Sequence, residues 1–104
     1  EYRTLLDMFK ERNIEVIIHN IVGITTYNSK LDEKDVIKAN KNISEANEFI
    51  KEISDEMNYV FIDIASLMNM EGSNEMNAIY SADGVHFNES GYKVWYQKIS
   101  SFLV

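Results

Sequence analysis

The chain has 104 residues, 45% of them hydrophobic and 26% charged, with a formal net charge of −7 at pH 7. These values fit one small globular domain at most, and they argue against partners recognised through clustered Lys and Arg, namely nucleic acid and anionic membrane surfaces. No apolar run is long enough to span a bilayer, and the absence of cysteine removes disulfides, thiolate metal sites and cysteine nucleophiles.

The first predicted element is a helix, with Tyr2, Leu5, Leu6 and Phe9 at helical spacing and Arg3, Asp7, Lys10 and Glu11 on other faces. Asn13 ends it. Ile14 to Ile18 is nearly unbroken apolar sequence rich in β-branched residues, as suits a strand buried on both faces of a parallel sheet. A polar loop follows from Gly23 to Lys30. Asp32 is the expected N-cap of a second helix, with Glu33 and Asp35 favoured by the positive helix end. Its apolar positions recur at Val36, Ala39, Ile43, Ala46, Ile50, Ile53 and Met57. Tyr59 to Ile64 reads as a second buried strand, and a polar stretch runs from Asn69 to Asn77. Asn88 is the expected N-cap of a last helix, on which Tyr92, Trp95, Tyr96, Ile99, Phe102 and Leu103 share one face. That spacing assigns the aromatic stripe to the core rather than to a carbohydrate or lipid platform.

Helix, strand, helix, strand, helix implies parallel strands joined by crossover helices. Two parallel strands make a poor core alone, because such sheets are normally covered on both faces and paired on both sides. The chain therefore reads as the last part of a doubly wound α/β domain. It begins at Glu1 without an initiator methionine or signal-like segment, as a trimmed or processed chain would, and nothing in it assigns a localisation.

The chemistry concentrates in Asp83-Gly84-Val85-His86-Phe87-Asn88-Glu89-Ser90-Gly91-Tyr92. An acid and an imidazole stand three residues apart, between a polar loop and a helix. A serine hydrolase needs a histidine to take the serine proton and a carboxylate to fix that histidine's tautomer. Gly84 can fold Asp83 back toward His86, and Asn88 would anchor the loop to the helix behind it. On spacing alone the pair reads more readily as a common Asp-Gly turn with a surface histidine beside it, and it is the whole ten-residue string that reverses this.

The ten-residue string as a whole resembles the last block of SGNH/GDSL hydrolases, an Asp-x-x-His followed by a short polar segment and often Gly-Tyr. Here the matching residues are Asp83, Gly84, His86, Asn88, Gly91 and Tyr92. The order of long helix, strand ending in Asp63, polar loop and this block also fits the family, so nearly the whole chain is covered. The resemblance implies a three-layer flavodoxin-like α/β fold, of which residues 1–104 form the C-terminal part of one domain. It also implies ester hydrolysis through an acyl-serine, with His86 as general base, Asp83 as its orienting partner and no metal or organic cofactor.

The family's Gly-Asp-Ser nucleophile block, and the middle blocks whose Gly and Asn complete the oxyanion hole, do not occur in these residues. Gly23 and Gly72 read as plain loop glycines. The chain alone is therefore expected to be inactive and, with an open strand edge, to associate with itself. Of the remaining polar residues, His19 at the end of the first strand is a candidate for a substrate cleft, and Asp63 is expected to bond nearby loops. His19, Asp63, Asp83 and His86 show no recognised metal spacing. The sequons Asn42-Ile43-Ser44 and Asn88-Glu89-Ser90 read as chance matches. The rival to the hydrolase is a non-catalytic α/β interaction module that keeps the motif for packing.

Overall fold

A computed structural model describes residues 1–27 and 29–103; Asn28, within the predicted polar loop, lies outside the described residues. The elements run α1 (Tyr2–Glu11), β1 (Ile17–His19), α2 (Glu33–Glu56), β2 (Val60–Ile62), α3 (Ile64–Met68), a 3-10 turn (Ala78–Tyr80) and α4 (Glu89–Ser100). β1 and β2 pair in parallel, with Ile17 opposite Val60, Ile18 opposite Phe61 and His19 opposite Ile62. The strand alternation sends Ile18 and Phe61 toward α1 and α2, where they pack with Leu6, Ile50, Ile53 and Met57. Ile17 and Ile62 point the other way, toward Met68 and the Val94, Trp95 and Ile99 side of α4. Helices thus cover both faces of the sheet, the predicted α/β layering.

The strands are shorter than the apolar runs that announce them. α1 ends with Asn13 in the left-handed region (φ 57°), and the amide of Ile14 closes back on the Phe9 carbonyl at 2.9 Å. α2 ends the same way, with Asn58 at φ 59° and Tyr59 N–H on Ser54 O at 2.9 Å. These Schellman turns use up the residues just before each strand. At the far end of β2, Asp63 caps α3 by accepting from Ser66 N–H, so Ile64 belongs to a short helix and not to the strand. Asp32 does sit at the start of α2, but its side chain makes no capping bond.

The aromatic stripe of α4 is only partly core. Val94, Trp95 and Ile99 pack inward, while Tyr92, Tyr96 and Leu103 are 57%, 65% and 66% exposed. The helix is rotated by Gly91, which is buried and lies so close to the 3-10 turn that a Cβ there would stand 2.6 Å from the Tyr80 carbonyl oxygen. That contact draws the Gly91–Trp95 face inward and turns Tyr92 and Tyr96 out. Leu5 of α1, 46% exposed, is also outside the core.

The segment after β1 is held by asparagines rather than by the sheet. Asn40 and Asn47 lie seven residues apart on α2, so they share one face. Asn40 accepts from Ile24 N–H and donates to Ile24 C=O, both at 2.8 Å. Asn47 does the same to Ile21, both at 2.8 Å. Asn69 accepts from Gly23 N–H. Gly23 is therefore no plain loop glycine: a Cβ there would fall 1.7 Å from the Asn74 carbonyl oxygen. Gly72, at φ 72° with open space around it, is one.

Candidate active site

Residues 81–88 form a closed loop between the 3-10 turn and α4. Asn88 shuts its base, donating its backbone N–H to Tyr80 C=O at 2.8 Å and its side-chain amide to Ile79 C=O at 3.0 Å. The Asn88 Oδ1 accepts from Gly91 N–H at 2.9 Å and so caps α4. Gly84, at φ 86°, makes the reversal. A Cβ at Gly84 would lie 2.6 Å from Ser29 Cβ and 2.7 Å from the Thr25 carbonyl oxygen. The loop thus leans on the segment after β1, and Thr25 N–H donates to Gly84 C=O at 2.9 Å.

Inside the loop Asp83 and His86 meet. The Oδ1 of Asp83 accepts the backbone N–H of Val85 at 2.9 Å and of His86 at 2.8 Å, and Oδ2 stands 2.8 Å from the His86 Nδ1. The His86 backbone amide, its ring and the Val85 amide all favour the charged carboxylate and hold its pKa well below the usual carboxylate range. An ionised carboxylate only accepts, so the His86 Nδ1 donates. In the neutral imidazole that leaves Nε2 with its lone pair. The His86 side chain is 79% exposed, and the hollow beside it is walled by Ser29, Lys30, Leu31, Ala82 and Val85. The arrangement can take a proton at Nε2 and stabilise the resulting imidazolium through Asp83.

His19 lies elsewhere, at the end of β1. The Trp95 indole N–H, which can only donate, reaches the His19 Nε2 at 3.3 Å. The Nδ1 proton then goes to the Asn20 carbonyl at 2.7 Å. Both ring nitrogens are engaged, and His19 does not line the hollow beside His86. Asp63 bonds its neighbours, as expected of it. It accepts from Asn20 at 2.8 Å and from the Ser66 amide and hydroxyl at 3.0 and 2.7 Å. Burial works against its ionisation, but the bonds from Ser66 and Asn20 outweigh it and keep the pKa low. Among the described residues no three His, Asp or Glu side chains gather as a metal ion would require.

Sequence reasoning missed Ser81. It is 3% exposed, and its hydroxyl lies within hydrogen-bond distance of Gly84 N–H, His86 C=O and Asp83 Oδ1. Nothing in the pattern around Asp83 and His86 distinguishes it from the other serines of the chain.

A family model described as the GDSL-like lipase/acylhydrolase family matches residues 1–94. Among solved structures, an inferred acylhydrolase from Bacteroides fragilis is 25% identical with a TM-score of 0.77, and the match covers 95% of this chain and 46% of that one. A GDSL-like lipase from Bacteroides thetaiotaomicron is 20% identical with a TM-score of 0.77, covering 95% and 47%. The chain thus spans about half the length of the structures it matches. Comparison with curated proteins returns no match.

Proposed function

The chain belongs to the GDSL-like lipase/acylhydrolase family, and we propose that it supplies the general base His86 and the orienting carboxylate Asp83 of a serine ester hydrolase. The nucleophilic serine and the oxyanion donors would come from sequence outside these 104 residues. The observation that carries the reading is the 2.8 Å contact between Asp83 Oδ2 and His86 Nδ1, which points the basic Nε2 outward.

In the reaction, Nε2 takes the proton from the serine hydroxyl as its oxygen bonds to the ester carbonyl carbon. Asp83 stabilises the imidazolium without taking the proton. The imidazolium then protonates the departing alkoxide, which leaves the acyl group on the serine. In the second half His86 removes a proton from water as it attacks the acyl carbon, and returns that proton to the serine. The base and its partner are consumed in neither half.

The test uses the polypeptide that carries the nucleophile, assayed with short-chain activated esters. His86→Ala is expected to lower kcat by roughly 10³-fold or more with the fold intact, and Asp83→Asn to lower it through the wrong tautomer. Undiminished turnover in His86→Ala refutes the reading. So does steady turnover by residues 1–104 alone that His86→Ala abolishes, since a complete site would then lie within them.

A further inference from the structure

We infer that Ser81 is a positioning residue that sets the geometry of the Asp83–His86 pair, an inference that rests on the reading of His86 as the base. Asp83 and His86 are both exposed, with side chains 56% and 79% accessible, so packing does little to hold either one. Their rigidity has to come from hydrogen bonds within the loop, and Ser81 is the buried group from which those bonds radiate.

A serine hydroxyl has one hydrogen to donate and two lone pairs. The shortest contact of the Ser81 Oγ is to His86 C=O at 2.6 Å, so the hydrogen goes there. The Gly84 amide donates to Oγ at 2.9 Å. The 3.2 Å approach to Asp83 Oδ1 is then a neighbour contact without a hydrogen, because that oxygen already accepts from two amides. Ser81 therefore braces both ends of the reversal, Gly84 just after the acid and the carbonyl of the histidine itself. Its own amide is tied to Ala78 C=O at 3.2 Å, which links the brace to the 3-10 turn.

Removing the hydroxyl leaves Gly84 N–H and His86 C=O without their partner. The backbone between them, still held to Asp83 Oδ1 by the Val85 and His86 amides, loses its tie to the buried Ser81 and can turn the imidazole away from Oδ2. The Nδ1–H tautomer exists because a carboxylate oxygen sits in front of Nδ1. Once that geometry loosens, the ring moves toward the Nε2–H form, in which the outward nitrogen is no longer basic.

The tautomer is read directly from imidazole 15N shifts of the 104-residue chain, above the pH at which His86 is protonated. In the wild-type chain Nδ1–H is expected to dominate. Ser81→Ala, with its backbone amide spectrum showing an intact fold, is expected to lower the Nδ1–H to Nε2–H ratio by about tenfold, the effect of loosening one charge-assisted bond. Ser81→Thr, which keeps a hydroxyl, is expected to restore it. Ser81→Cys refills the space with a weak hydrogen-bonding group and takes the place of Ser81→Ala if the alanine variant unfolds. An unchanged ratio in whichever of these two variants is folded overturns the inference. The readout needs no turnover, so it stays separate from the catalytic reading, whose failure would appear as ester hydrolysis indifferent to His86→Ala.

Discussion

The chain's glycines allow backbone strain and steric exclusion to be measured apart. Gly72 has φ 72° and nothing near it, Gly23 has an ordinary φ but no room, and Gly84 has both φ 86° and no room. Gly72→Ala incurs only the left-handed backbone cost, ~1–2 kcal/mol, partly offset by the ~0.4–1 kcal/mol gained from a less flexible unfolded chain. A net loss of about 1 kcal/mol is expected. Gly84→Ala incurs the same cost and in addition drives a methyl to 2.6 Å from Ser29 Cβ and 2.7 Å from Thr25 O. Overpacking of this kind adds ~1–3 kcal/mol, for a total of about 2–4 kcal/mol. Gly23→Ala meets a backbone carbonyl at 1.7 Å, which no side-chain rotation can relieve, and is expected near the upper end of the overpacking range at about 3 kcal/mol. Thermal unfolding followed by circular dichroism resolves these values, since each kcal/mol moves Tm by about 4–8 °C in a domain of this size. If Gly84→Ala proves no more destabilising than Gly72→Ala, the loop does not press on Thr25 and Ser29 as described.

Two further outcomes follow from the same geometry. Because the Asp83 pKa is lower in the folded chain than in the unfolded one, its contribution to stability is present above the unfolded value of about 3.9. It is lost as pH falls through the lower, folded value. Denaturant unfolding between pH 5 and pH 2 should therefore show a smaller acid-induced loss in Asp83→Asn than in wild type, and an equal loss would contradict the depressed pKa. The second outcome concerns association. Asn20 N–H reaches Ile62 C=O, so Ile18 and Asn20 face β2, while Ile17 and His19 turn their amides and carbonyls to the open side of β1. Residues 1–104 alone are expected to dimerise there, antiparallel about Ile17, which sets Glu15 of each copy beside His19 of the other. Light scattering over a concentration series should show the dimer, and Ile17→Lys should weaken it. A monomer at every concentration would mean that the edge is covered.

The element order and the helices on both faces were legible because both rest on periodicity, and burial of an apolar face enforces periodicity. Asn88 was legible as a cap because its role is local. The juxtaposition of Asp83 and His86 was legible because three residues and a glycine suffice to bring them together. Other features depended on contacts between distant segments. Tyr92 and Tyr96 share the spacing of a core stripe, and only the approach of Gly91 to Tyr80 turns them outward. Gly23 looks like any loop glycine until Asn74, more than fifty positions later, is brought against it. Ser81 acts through its burial, which a polar loop gives no reason to expect. The strand ends were misread because apolar character continues beyond the residues that pair: Ile14 closes a helix and Ile64 opens one.

The amide clamps of Asn40 and Asn47 grip only main-chain atoms of Ile24 and Ile21. Recognition of that kind is indifferent to which side chains the gripped residues carry. Ile21 shows this by leaving its own side chain 44% exposed while its backbone is held. The path of the chain at Ile21 and Ile24 is thereby uncoupled from the identity of those two side chains, and α2 acts as a template along which these positions can change their surface chemistry, while Gly23 between them stays fixed by its contact with Asn74. Farther along, Thr25 and Ser29 support Gly84. Sequence drift at Ile21 and Ile24 is therefore insulated from the alignment of the Asp83–His86 pair.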